Sequence, residues 1–168
     1  FDLSKNYQKT QRNFFRTRLI IYTFTMALHT LNIALADDDE DDRILFAEAM
    51  GQITIKTKLA IFTNGQELMD YLLLPEIVLP QLIFLDLNMP IKNGMQCLNE
   101  IRKNDRLKDL IVAIYSTSSS EKDIEETFVK GANIYINKPN SFSELKEAVE
   151  KVLQINWQYQ TSNFNPEN

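Results

Sequence analysis

A doubly wound α/β domain, five parallel strands with helices on both faces, is the architecture that three observations in this sequence imply. From Asn32 onward, short apolar runs alternate with stretches of helical period. The connections between them are short, as right-handed crossovers in a parallel sheet require. The third run, Leu82–Leu85, is continuously apolar and closes on Asp86 before Pro90, which suits a strand covered on both faces.

The strands are expected at Ile33–Ala36, Leu59–Phe62, Leu82–Leu85, Leu110–Ile114 and Ile134–Ile136, with helices in the intervals. After the first run comes Asp37-Asp38-Asp39-Glu40-Asp41-Asp42, six acids entering a helix. In the third helix Met95, Leu98 and Ile101 recur every three residues as a core stripe, and Cys97 beside them reads as a small buried apolar residue. Ser118-x-x-Glu121 has the form of a capping box opening the fourth helix, and Gly131 suits its left-handed end. Ser141-x-x-Glu144 opens the fifth, whose Leu145, Val149 and Val152 form the apolar face.

The 168 residues suit one domain, with 44% apolar residues to build a core and 24% charged. We divide the chain into an N-terminal extension or leader (1–31), a domain (32–155) and a polar C-terminal tail (156–168) that leaves no room for an output domain. The net charge of −5 is uneven. Residues 1–31 hold five Lys/Arg and one Asp, leaving 13 basic and 22 acidic residues elsewhere, a poor surface for nucleic acid. The uncharged stretch Leu19–Ala36 contains Thr23, Thr25, His29, Thr30 and Asn32 and ends in a strand, so no membrane span is expected. One cysteine, and no Cys/His set with zinc spacing, points to a reducing, cytoplasmic setting.

In a parallel sheet the strand ends converge on one edge, where ligands of open α/β sheets bind. That edge would gather the acidic run, Asp86, Ser116-Thr117 and Asn137-Lys138-Pro139. Two carboxylates 4–5 Å apart repel by about 4 kcal/mol at an effective dielectric near 20, so such a cluster takes up protons or a cation. Few protein ligands, with room for water and phosphate oxygens, favour Mg²⁺ over Ca²⁺. An EF-hand loop is not expected, since no Gly holds the sharp turn and no Glu closes a twelve-residue loop.

The set resembles the receiver domain of two-component response regulators. The resemblance rests on the acidic pair Asp37-Asp38, on Asp86-Leu87-Asn88-Met89-Pro90-x-x-x-Gly94, on Ser116, and on Tyr135-x-x-Lys138-Pro139, and it covers about residues 32–155. It implies a flavodoxin-like receiver fold in which Asp86 accepts a phosphoryl group from the phosphohistidine of a sensor kinase or histidine phosphotransfer protein. By the same resemblance, Asp38 binds Mg²⁺ directly and Asp37 through water, with Asp86 and the Asn88 backbone carbonyl completing the ligands. Lys138 neutralises phosphate oxygens, Ser116 hydrogen-bonds the acyl phosphate, and Tyr135 is the aromatic switch residue. A cis bond is implied before Pro139, and partner binding or a homodimer on the face formed by 121–153. Ser116 stands where Thr is commoner, which keeps the hydroxyl but drops the methyl that restrains its rotamer. Asn88 and Ser118 offer no carboxylate to activate water, so rapid self-hydrolysis is not expected.

Two enzyme readings fit less well. A haloacid-dehalogenase-like phosphatase would want a second carboxylate at position 88, where Asn stands, and the four glycines never cluster into a dinucleotide-binding loop. The serious rival is an interaction module that keeps the fold and signals by protein contact without phosphorylation.

Overall fold

The structure, a computed structural model, describes residues 30–162; the expectations for the N-terminal extension up to residue 29 and for residues 163–168 lie outside them. Among the described residues five strands and five helices alternate: β1 (Leu31–Ala36), α1 (Glu40–Gly51), β2 (Thr57–Phe62), α2 (Gly65–Leu73), β3 (Leu82–Leu85), α3 (Gly94–Lys103), β4 (Ile111–Ser116), α4 (Glu121–Val129), β5 (Ile134–Asn137) and α5 (Phe142–Ser162). The order across the sheet is β2-β1-β3-β4-β5, with every pair parallel. The expected fold class is the observed one.

Strand alternation divides the core in two. Leu31, Ile33 and Leu35 of β1, Leu82 and Phe84 of β3, and Ala113 and Tyr115 of β4 meet Phe46, Ala49 and Met50 of α1 and Leu145, Val149 and Val152 of α5. On the other face Ala34, Ala36, Ile83, Leu85, Val112 and Ile114 meet Leu68 and Leu72 of α2 and Cys97, Leu98 and Ile101 of α3. Cys97 is fully buried, and burial pushes its thiol up to about 12, so it is an inert core residue.

Several expectations are refined. The cap of α4 is Ser120, whose side chain accepts from the Asp123 amide, not Ser118. Ser118 is held in the preceding loop instead: its amide donates to Ser116 Oγ (3.3 Å), and its carbonyl accepts from the Tyr135 hydroxyl (2.8 Å). The extended backbone needed at a cap therefore falls two residues later, where Ser120-x-x-Asp123 meets the same rule. Ser141 does cap α5, accepting from the Glu144 amide (3.3 Å). Gly131, at φ +97°, ends α4 as expected, and its carbonyl accepts from Arg102 Nε (2.8 Å). Arg102 also donates to the carbonyls of Lys108 and Leu110 and to Asn133 Oδ1, tying α3 to the approaches of β4 and β5. α5 continues beyond Leu153 to Ser162.

The implied cis bond before Pro139 is not found: among the described residues every peptide is trans. Trans is the lower-energy isomer before proline by about 0.5–1 kcal/mol. The four-carbon Lys138 stem still carries its ammonium to the strand ends.

Candidate active site at the sheet switch point

The chain steps from β1 outward to β2 and then back across to β3, so the sheet order reverses between β1 and β3. Their carboxyl ends part there and leave a crevice. The ladder carries two acids into it: the Asp37 amide donates to Phe62 O (3.1 Å) and the Asp86 amide to Ala36 O (2.9 Å). Both side chains are buried, Asp37 fully and Asp86 at 7% exposure.

The six-residue acidic run is divided among distinct tasks. Asp39 caps α1, accepting from the amides of Asp41 and Asp42. Asp38 is exposed at the crevice, Glu40 and Asp41 lie in the first helical turn, where negative charge suits the helix dipole, and Asp42 turns inward. The Asp37 carbonyl accepts from Arg43 Nη1 (2.9 Å), and its Oδ1 accepts from the Asp39 amide (3.1 Å).

Lys138, just beyond β5, is the cation of the site. Its side chain is 7% exposed, and Nζ lies 2.7 Å from Asp37 Oδ2, 2.7 Å from Asp42 Oδ2 and 3.0 Å from Asp86 Oδ2. Nζ also stands 5.2 Å from the centre of the Tyr115 ring, a cation–π contact from below. Burial opposes the ammonium charge, but Asp37, Asp42 and Asp86 outweigh it and hold the Lys138 pKa above its ordinary value. Burial pushes Asp37 the other way, up to about 6, against the pull of Lys138. Asp37 Oδ2 is charge-compensated by Lys138, yet the contact lacks hydrogen-bond geometry, so this buried oxygen has no donor.

Asp37, Asp38 and Asp86 each offer an oxygen within 4.8 Å of the others. Three hard carboxylate oxygens this close, two of them from buried residues, are the surroundings a divalent cation satisfies. The loop after β3 completes the wall. The Asn88 amide donates to Asp86 Oδ1 (3.2 Å), buried Met89 anchors the loop in the core, and the Gly94 amide closes it on Leu87 O (3.0 Å). A Cβ at Gly94 would overlap the Asp86 carbonyl oxygen and sit 2.9 Å from Leu87 Cα, which is why this position takes glycine. The open cleft, about 510 Å³, is bounded by Asp38 to Asp42, Asp86, Asn88, Thr117 and Lys138.

The sequence-derived site residues thus meet, with two differences of placement. Ser116 is fully buried at the end of β4, its Oγ occupied by the Ser118 amide, while Thr117 forms the cleft wall. Tyr135 is half-buried and reaches the same loop through its hydroxyl. Asp42 and Tyr115 were not anticipated as neighbours of Lys138. The signal that finds Asp42 is its helical phase, four residues before Phe46 on the face that meets the sheet, and it can be used only once the start of α1 is known.

Asp37→Asn is expected to stabilise the metal-free protein. A folded-state pKa of about 6 against an ordinary 3.8 means the native state binds the proton more tightly. Stability held by protonated Asp37 is therefore complete below pH 3.8 and lost as pH rises through 6, a difference of about 3 kcal/mol. Urea unfolding in chelator should show the variant about 2–3 kcal/mol more stable at pH 7.5 and equal to the parent near pH 4. A destabilised variant at neutral pH contradicts this balance.

The sequence profile described as the response regulator receiver domain matches residues 33–150. The chain belongs to this family. It is 32% identical over 124 residues to the response regulator Rcp1 of Synechocystis, covering 71% of this chain and 84% of that one. It is 30% identical over 123 residues to the "Probable methanogenesis regulatory protein FilR2" of Methanothrix harundinacea, covering 71% and 79%. The structure of the phosphorylated cyanobacterial phytochrome response regulator RcpA superposes with a TM-score of 0.70 at 32% identity, covering 75% of this chain and 93% of that one. Rcp1 has been solved with Mn²⁺ bound, with a TM-score of 0.67 at 31% identity over 73% of this chain and 91% of that one. As a receiver domain of two-component systems the chain is a signalling domain that works between sensor kinases and downstream targets. Among the described residues no helix is long and apolar enough to cross a membrane.

Proposed function

We propose that Asp86 accepts a phosphoryl group from the phosphohistidine of a sensor kinase or histidine phosphotransfer protein, in a cytoplasmic phosphorelay. The observation that carries this reading is the placement of Asp86 Oδ2 3.0 Å from a nearly buried ammonium, at a crevice it shares with Asp37 and Asp38. An Asp86 oxygen attacks phosphorus, forming the P–O bond, while the P–N bond breaks and its electron pair stays on the imidazole. The protein's work in such a transfer is positioning and charge compensation. Asp37, Asp38, Asp86 and the Asn88 backbone carbonyl would hold Mg²⁺. When bound, it supplies charge neutralisation between the carboxylate and the entering phosphoryl oxygens.

The signal is then a local electrostatic change. A phosphoryl group adds negative charge and acceptor oxygens beside Lys138 and the end of β4. Ser116 Oγ leaves the Ser118 amide to hydrogen-bond the acyl phosphate, and Tyr135, held by the Ser118 carbonyl, follows the β4–α4 loop. The face of residues 121–153 reports the change to a target protein or a second copy; Phe128 and Val129 are exposed there.

The test is incubation with acetyl phosphate and Mg²⁺. A mass gain of one phosphoryl group on the peptide bearing Asp86, abolished by chelator, is expected. No gain, or a label elsewhere, overturns the reading in favour of an interaction module that works without phosphorylation.

A further inference from the structure

We propose that Asp42 is the displaceable counter-ion of Lys138: it occupies the ammonium while Asp86 is unmodified and gives it up when Asp86 carries a phosphoryl group. The inference rests on the phosphoacceptor reading of Asp86. Lys138 Nζ is crowded by three carboxylates within 3.0 Å: it donates hydrogen bonds to Asp42 and Asp86 and stands in ion-pair contact with Asp37. A phosphoryl oxygen entering this shell must replace one of them. Asp86 bears the group and stays. Asp37 is fully buried, and the ammonium is the charge that compensates its Oδ2, which has no hydrogen-bond donor, so losing the ammonium would strand a buried charge. Asp42 is the third, its side chain 32% exposed, so water can take over its solvation at little cost.

This assigns a positioning role to a residue outside the acidic pair. The Lys138–Asp42 hydrogen bond (2.7 Å) ties the loop after β5 to the first turns of α1, across 96 residues of sequence. Phosphorylation unties it. The α1 end of the crevice therefore changes with the state of Asp86, along with the β4–α4 loop.

The test uses beryllofluoride, which mimics the phosphoryl group on a carboxylate, titrated at saturating Mg²⁺ and followed by backbone amide NMR. Asp42→Asn removes the competing charge and should tighten beryllofluoride binding about fivefold, with Asp42→Ser moving the same way. Asp42→Glu, which restores the charge, should return to the parent value. Glu48→Gln removes a like charge from an exposed position on the same helix, outside the cleft wall, and should change binding less than about twofold. In the parent, the Asp42 and Arg43 amides should shift on binding, and in Asp42→Asn that shift should be largely absent at the start. Unchanged or weaker binding in Asp42→Asn, or equal tightening in Glu48→Gln, overturns the assignment while leaving Asp86 as acceptor. No response in the parent, with Asp86→Asn behaving identically, overturns both.

Discussion

Lys138→Met is expected to destabilise the metal-free protein by about 3–5 kcal/mol at pH 7.5, the cost of removing one partner from a buried ion cluster. Met keeps the length of the stem and its packing over the Tyr115 ring, so the loss reports the charge. Without the ammonium, Asp37, Asp42 and Asp86 face one another, two of them buried. Lys138 has its pKa raised on folding, so its contribution is complete below the ordinary 10.5 and fades only as pH rises through the raised value; it is whole at neutral pH. Relief in the variant must come from the carboxylates. Without the ammonium that pulls its pKa down, Asp37 takes up its proton above the parent's value of about 6, so the deficit should shrink as pH falls from 7.5 toward 6 and change little below it. Millimolar MgCl₂ should also restore more stability to Lys138→Met than to the parent, because it is the other available source of positive charge. Urea unfolding at pH 5, 6 and 7.5, with and without MgCl₂, reads all three effects; a deficit independent of both pH and Mg²⁺ would mean that lost packing, not charge, explains it.

The same cluster shows how far a sequence can be read. The five strands were legible because each is short, apolar and bounded by polar residues, and parallel pairing buries both faces of β1, β3 and β4. The meeting of Asp37, Asp38, Asp86 and Lys138 followed from topology alone, since parallel strands bring their carboxyl ends to one edge. Register inside the first turn of α1 did not follow. Six consecutive acids carry no contrast, so nothing local separates the capping Asp39 and the solvated Asp41 from Asp42, which faces Lys138. The separation comes from helical phase with Phe46, and that phase is fixed only once Asp39 is known to be the cap. Three consecutive serines, Ser118 to Ser120, hid the start of α4 in the same way. The Tyr135 hydroxyl decides between them by claiming the Ser118 carbonyl. Tyr115 was invisible for a different reason. It is an ordinary inward residue of β4, stacked edge-on against Phe46, with ring centres 5.6 Å apart, and only the path of Lys138 over its ring gives it a part in the site.

Asp86→Asn should abolish phosphoryl incorporation, lowering the rate from acetyl phosphate by at least about 100-fold, while leaving the fold intact. The amide has the shape of the carboxylate and its Oδ1 can still accept from the Asn88 amide, so the β3–α3 loop keeps its anchor. Lys138 keeps Asp37 and Asp42 within 2.7 Å, so no charge is stranded, and unfolding should move by no more than about 1 kcal/mol. What is lost is the nucleophile: an amide oxygen carries no full negative charge to attack phosphorus. Beryllofluoride should also produce no Mg²⁺-dependent amide shifts in this variant. Neighbouring acids are poor substitutes. Asp37 is buried with its Oδ1 bound to the Asp39 amide and Oδ2 against Lys138, so neither oxygen faces an entering donor freely. Asp38 is exposed and accessible, and a label appearing there in Asp86→Asn at a rate near the parent's would show that the crevice, not one aspartate, selects the acceptor. Full retention of labelling on any residue would remove Asp86 from the centre of the chemistry. Near-total loss with an unchanged unfolding curve would place the transfer on Asp86 itself, because a folding defect could not produce both results together.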